Sequence, residues 1–135
     1  MENAKILIVD DDRDIRDSLK VILEHSRYNV ATAPGVTEAM EKIRAEKPDL
    51  IILDVMMDSW TDGFDMARDL KKNNEYQNIP ILMLTGIKNK TGIDFKATAG
   101  DPTWCPVDEF HEKPIEPDTL LKEVEKLLTK KPDKQ

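Results

Sequence analysis

Cysteine is nearly absent: Cys105 stands alone in 135 residues. One thiol excludes an intrachain disulfide, which suits a reducing compartment, and it is too little for a zinc site. No stretch approaches the roughly 18 consecutive apolar residues of a membrane-spanning helix, so no membrane association is expected. The opening Met1-Glu-Asn-Ala-Lys5 has neither the basic nor the apolar region of a secretory signal, and the cytoplasm is the expected compartment. Positive charge is also in deficit, with 20 Lys and Arg against 27 Asp and Glu, a net charge of -7. That balance weighs against binding nucleic acid and favours solubility and a partner with a basic patch.

What is present describes a globular chain: 39% hydrophobic and 35% charged residues over a length that fits one domain and not two. A domain of this size buries roughly two-thirds of the surface its unfolded chain exposes, so it folds without a staple. The domain is expected to span 1–129, with the polar segment 130–135 as a fraying tail.

Short apolar runs alternate with helical patterns. Residues 5–10 form the first run. Ile15, Leu19, Ile22 and Leu23 then place one apolar face on a helix over 12–25. Residues 28–32 predict a second strand, and Pro34 is expected to open the next helix, whose stripe is Val36, Ala39, Met40 and Ile43. Residues 49–54 are apolar on both faces, the pattern of a central parallel strand covered by helices on each side. Asp62-Gly63 predicts a turn, after which Phe64, Ala67 and Leu70 lead a third helix. Residues 80–85 predict a fourth strand and 108–112 a weak fifth. Leu120, Leu121, Val124, Leu127 and Leu128 face a last helix with Pro117 near its start. Repeated βα units imply an α/β fold with a parallel sheet. Between 86 and 107 the pattern breaks down: Gly86, Gly92, Gly100, Pro102 and Pro106 predict an irregular or extended segment in place of a regular helix there.

Four strand ends carry chemistry. The first run ends in Asp10-Asp11-Asp12, the third in Asp54, the fourth in Thr85, and Lys113 follows the fifth. In doubly wound sheets ligands bind beyond the carboxyl ends of the strands. Crowded carboxylates raise one another's pKa, and a divalent cation removes that conflict. Mg2+ suits them because it takes oxygen ligands and one or two carboxylates beside a phosphate oxygen. Asp54 then has the character of a nucleophile that forms an acyl phosphate, with Lys113 and Thr85 placed to stabilise phosphoryl oxygens. Asp12 reads as a helix cap. His25 and His111 lack partner motifs and read as structural or surface residues.

The segments Ile-Leu-Ile-Val-Asp10-Asp11 with Arg16, Leu-Ile-Ile-Leu-Asp54-Val-Met-Met, Asp62-Gly63-Phe64, Ile-Leu-Met-Leu-Thr85-Gly86 and Phe110-His-Glu-Lys113-Pro114 occur in that order. Together they resemble the receiver domain of two-component response regulators, the CheY-like family, across essentially the whole chain. The resemblance implies a flavodoxin-like five-stranded sheet in the order 2-1-3-4-5 with helices on both faces. It implies that Asp54 takes a phosphoryl group from a sensor histidine kinase or phosphotransfer protein. Asp11 and Asp54 would bind Mg2+ directly, Asp10 mainly through water, and Met56 through its main-chain carbonyl. Thr85 and Phe110 match the switch pair, in which the hydroxyl moves toward the phosphoryl group as the ring turns inward. A downstream protein or output domain and a phosphorylation-dependent homodimer are further implied partners.

The chain also departs from the family. Asp58 stands where proline is common, and one extra residue lengthens the stretch Asp58-Ser-Trp60-Thr-Asp62 into an acidic loop beside the phosphate. Gly86 leaves access to the phosphate wide, which implies faster hydrolysis. His111 and Glu112 suit an edge strand. Two other functions compete with the receiver reading. One is a haloacid-dehalogenase-like phosphatase with Asp10 as nucleophile and Asp12 as acid; the other is a receiver-fold interaction module indifferent to phosphorylation.

Overall fold

The computed structural model describes residues 4–54, 60–85, 109–112 and 115–129, with side chains described for 4–53, 65–84 and 115–129. The elements in chain order are β1 (Lys5–Val9), α1 (Arg13–His25), β2 (Asn29–Ala33), α2 (Val36–Ala45), β3 (Leu50–Asp54), α3 (Trp60–Lys72), β4 (Ile81–Thr85), β5 (Glu109–Glu112) and α4 (Pro117–Thr129). The five strands form one sheet in the order β2-β1-β3-β4-β5, and every neighbouring pair is parallel. After β2 the chain returns past β1 to lay down β3, so the strand order reverses at the β1–β3 seam.

The pleat sorts the apolar residues to two faces. Leu7, Val9, Ile51, Leu53, Ile81 and Met83 pack with Ala39 and Ile43 of α2 and with Met66, Ala67 and Leu70 of α3. Ile6, Ile8, Leu50, Ile52, Leu82 and Leu84 pack with Leu19 and Leu23 of α1 and with Leu120, Val124, Leu127 and Leu128 of α4. The doubly wound architecture expected from the continuous apolar run at 49–54 is thus realised. Both clusters draw on Leu50–Leu53, all of which are buried. The lower end of the seam is fixed by an acid: the Lys5 main-chain N–H donates to the Asp49 carboxylate at 2.8 Å, and the Asp49 N–H donates to the Lys5 carbonyl at 2.7 Å.

Two local expectations are corrected. Asp62-Gly63 lies inside α3, which starts at Trp60, so neither the turn at Asp62-Gly63 nor a loop extending through Asp62 exists. A mid-helix glycine costs about 1 kcal/mol against alanine, and the burial of Met66, Ala67 and Leu70 on the same helix outweighs it. Pro34 does not open α2 either; Gly35 is the N-cap and Val36 the first helical residue. Pro117, in contrast, is the first residue of α4, where its missing N–H has no intrahelical partner to lose. β5 is an edge strand, as His111 and Glu112 suggested.

The exit from α1 is strained. Arg27 has φ 74, the left-handed region that favours glycine. It closes a double turn in which the Tyr28 N–H donates to the Leu23 carbonyl at 3.2 Å and the Arg27 N–H to the Glu24 carbonyl at 2.9 Å. Leu23 and Tyr28 then pack in the same cluster. Arg27→Gly should therefore raise unfolding stability by about 1 kcal/mol, measured by urea denaturation.

Tyr28 itself is half-buried, and its phenol pKa is raised, first by burial and second by the Glu125 carboxylate on α4. The folded state therefore holds the phenolic proton more tightly than the unfolded state. Its contribution is complete below the unfolded value of 10.0 and is lost as pH rises through the higher folded value. Tyr28→Phe should flatten the alkaline limb of a stability-against-pH curve and leave the neutral region little changed.

Candidate functional site

The carboxyl ends of β1, β3 and β4 meet at one rim. Val9 pairs with Leu53, so Asp10 and Asp54 come next in register across the β1–β3 seam. Asp54 pairs with Leu84, and Thr85 follows as the last residue of β4. Phe110 pairs with Met83, two positions before Thr85. The reversal of strand order falls between Asp10 and Asp54, where doubly wound sheets open their ligand crevice.

Each acid of the Asp10-Asp11-Asp12 run has a different environment. Asp10 is 1% exposed, the one buried charged residue among those described. Its N–H extends the ladder by donating to the Ala33 carbonyl at 3.1 Å, and its carboxylate accepts the Asp12 N–H at 2.9 Å. Its own carbonyl accepts from a guanidinium nitrogen of Arg16 at 2.7 Å. A buried carboxylate is costly unless it is hydrogen-bonded or compensated by positive charge, and this corner supplies hydrogen bonds together with a nearby cation. Asp12 is exposed and acts as the N-cap of α1, accepting from the Asp14 N–H at 2.9 Å and the Ile15 N–H at 3.3 Å. Asp11 lies between them, exposed and outside any helix or strand.

The corner therefore assigns structural work to Asp12, as its sequence position suggested, while Asp10 and Asp11 follow directly on the end of β1. Among the described residues, nothing in the environment of Asp12 supports an acid catalyst there. Met56, Asp58, Gly86, the 86–107 segment with Cys105, Lys113 and the 130–135 tail lie outside the described residues. So do the side chains of Asp54, Thr85 and Phe110. Among the described residues no group of three or more His, Cys, Asp or Glu side chains is positioned to hold a metal ion. No described helix is long and apolar enough to cross a membrane.

The family model described as the response regulator receiver domain matches residues 6–125. The chain belongs to this family. The receiver domain is 34% identical over 130 residues to the response regulator MprA of Mycobacterium ulcerans, a match covering 93% of this chain and 50% of that protein. The chain thus spans about half the length of that curated relative. Among solved structures it resembles the signal receiver domain of a signal transduction histidine kinase from Syntrophus aciditrophicus, with a TM-score of 0.82, 30% identity, and 98% and 95% of the two chains covered. It also resembles the Vibrio cholerae chemotaxis protein CheY4, with a TM-score of 0.74, 32% identity, and 92% and 98% covered. A receiver in a phosphorelay is therefore the function class of this domain, and the phosphatase and phosphorylation-independent readings are not favoured.

Arg16 is the residue whose part the sequence did not reveal. Its spacing from Asp10 is visible, but its hydrogen bond goes to a main-chain carbonyl, which leaves no trace in residue identity. Asp12 generates a simple expectation. Asp12→Ala removes both cap hydrogen bonds and should cost about 1 kcal/mol of unfolding stability, read by urea or thermal denaturation.

Proposed function

We propose that this receiver domain accepts a phosphoryl group on Asp54 from the phosphohistidine of a sensor kinase or phosphotransfer protein, with Mg2+ as cofactor. The observation that supports this most is the register at the β1–β3 seam, which sets Asp54 beside the Asp10-Asp11 corner. The domain would act in the cytoplasm as a signalling module, not as an enzyme on a separate substrate.

The donors fit the metal. Asp10, Asp11, Asp54 and the Met56 carbonyl offer only oxygen, the ligand Mg2+ prefers. Asp11, exposed at the corner, and Asp54 would bind it directly. The buried Asp10 would act mainly through water. When bound, the cation neutralises charge between the acceptor carboxylate and the phosphoryl oxygens.

The residues of the chain carry the remaining steps. A carboxylate oxygen of Asp54 attacks phosphorus in line; its P–O bond forms as the P–N bond to histidine breaks, and the released imidazole takes up a proton. The Lys113 ammonium pairs with one phosphoryl oxygen and the Thr85 hydroxyl donates to another. The modified side chain carries about one more negative charge and more acceptor oxygens than a carboxylate. Thr85 moves toward it, Phe110 turns inward, and the rim of the sheet presents a changed surface to a downstream protein, an output domain or a second receiver. Attack of water on the acyl phosphate resets Asp54; a residue without a side chain at position 86 is expected to favour that attack and shorten the phosphate lifetime.

Intact-mass measurement after incubation with acetyl phosphate tests this reading. Wild type should gain one phosphoryl group, and the gain should vanish in Asp54→Asn or when Mg2+ is chelated. Asp12→Ala should retain it. An adduct that survives Asp54→Asn but is lost on Asp12→Ala would support phosphatase-type chemistry instead.

A further inference from the structure

Arg16 ties the first turn of α1 to the end of β1. It is the fourth helical residue, and its guanidinium reaches back to donate to the Asp10 carbonyl at 2.7 Å. Its own N–H donates to the Asp12 carbonyl at 3.0 Å, the first hydrogen bond of the helix. The five-residue stretch Asp10 to Asp14 is therefore held at several points. The Asp10 N–H is fixed on Ala33, the Asp10 carbonyl on Arg16, the Asp10 carboxylate on the Asp12 N–H, and the Asp12 carboxylate on the helix start. Asp11 is the acid left over, exposed between the two anchored ones.

We propose that Arg16 is a positioning residue for cation binding, acting through the main chain of Asp10 rather than by touching the metal or the phosphoryl group. The proposal rests on the phosphoacceptor reading of the Asp10-Asp11-Asp54 corner. Two effects of Arg16 oppose each other, and their balance decides the sign. As a fixed positive charge near the acids, Arg16 disfavours a second cation. As a charged donor locked on the Asp10 carbonyl, it fixes the peptide between Asp10 and Asp11 and so the direction in which Asp11 points. A charge on a half-exposed side chain is screened by water. A short, directional hydrogen bond to the carbonyl of a buried residue is not. Positioning should therefore win. Partners that orient metal ligands from outside the coordination shell typically account for roughly 10- to 100-fold in affinity.

Direct binding of Mn2+ to the unphosphorylated chain, followed by electron paramagnetic resonance, separates the possibilities. Arg16→Met keeps the aliphatic bulk and removes the donor; it should weaken Mn2+ binding roughly tenfold. Arg16→Lys keeps charge but offers a single point donor in place of the planar fork, and should lose about threefold. Leu19→Ala, on the same helix and in the core, lowers stability without touching the corner. It should bind as wild type does. Arg16→Met binding as tightly as wild type or tighter, or Leu19→Ala weakening the site equally, overturns the proposal. If Arg16→Met does not fold, Arg16→Lys decides: unchanged affinity overturns, a threefold loss supports. The underlying reading fails differently: wild type would then bind no Mn2+, or bind it undiminished after Asp11→Asn or Asp54→Asn, and the role given to Arg16 would fall with it.

Discussion

The pairing of β1 with β3 is the constraint on which the rest depends. It joins segments that lie forty residues and more apart, and it does so with side chains that face both ways into apolar clusters. Burial on both faces makes register unforgiving: a slip of one residue would exchange the two faces and put every side chain in the wrong cluster. Asp49 adds a polar lock at the lower end through its paired hydrogen bonds with Lys5. With the bottom and the faces fixed, the top of the seam has one arrangement, Asp10 beside Asp54. Chemistry at the rim is thus a consequence of how hydrocarbon packs beneath it.

The acidic run after β1 shows how three identical residues acquire separate tasks. Burial, a ladder hydrogen bond and a turn hydrogen bond hold Asp10. The helix start claims Asp12. Asp11 stays exposed between them. Side-chain chemistry does not distinguish the three; the chain direction on leaving β1 does. Arg16 closes this corner from the helix side, so that the strand end and the helix start are hydrogen-bonded to each other. The proposed phosphoacceptor site would gain from such anchoring, because a metal tolerates little error in ligand direction.

Much of the architecture was legible in residues 4–54, because continuous apolar runs and helical stripes there are long enough to set a period. The edge position of β5 followed from the strand order that the family resemblance implies, and His111 and Glu112 were merely compatible with it. Local signals misled at Asp62-Gly63 and at Pro34. Both expectations weigh local backbone preference alone, which for a mid-helix glycine is about 1 kcal/mol. In α3 several buried apolar residues contribute more than that, and the helix runs through the glycine. At α2 the chain needs Pro34 and Gly35 to turn away from β2 before the helix can start.

By itself the sequence determined the alternation of strands and helices, the parallel sheet and the family to which the acids, hydroxyl and amine belong, because each follows from residue types at fixed spacing. The tertiary structure alone decided which helices share a face, where α2 and α3 begin, and that Arg16 reaches the Asp10 carbonyl. Those are matters of distance between groups remote in the chain, or of bonds to main-chain atoms that every residue carries alike. No pattern of side-chain letters encodes them; only the packed chain brings the partners together.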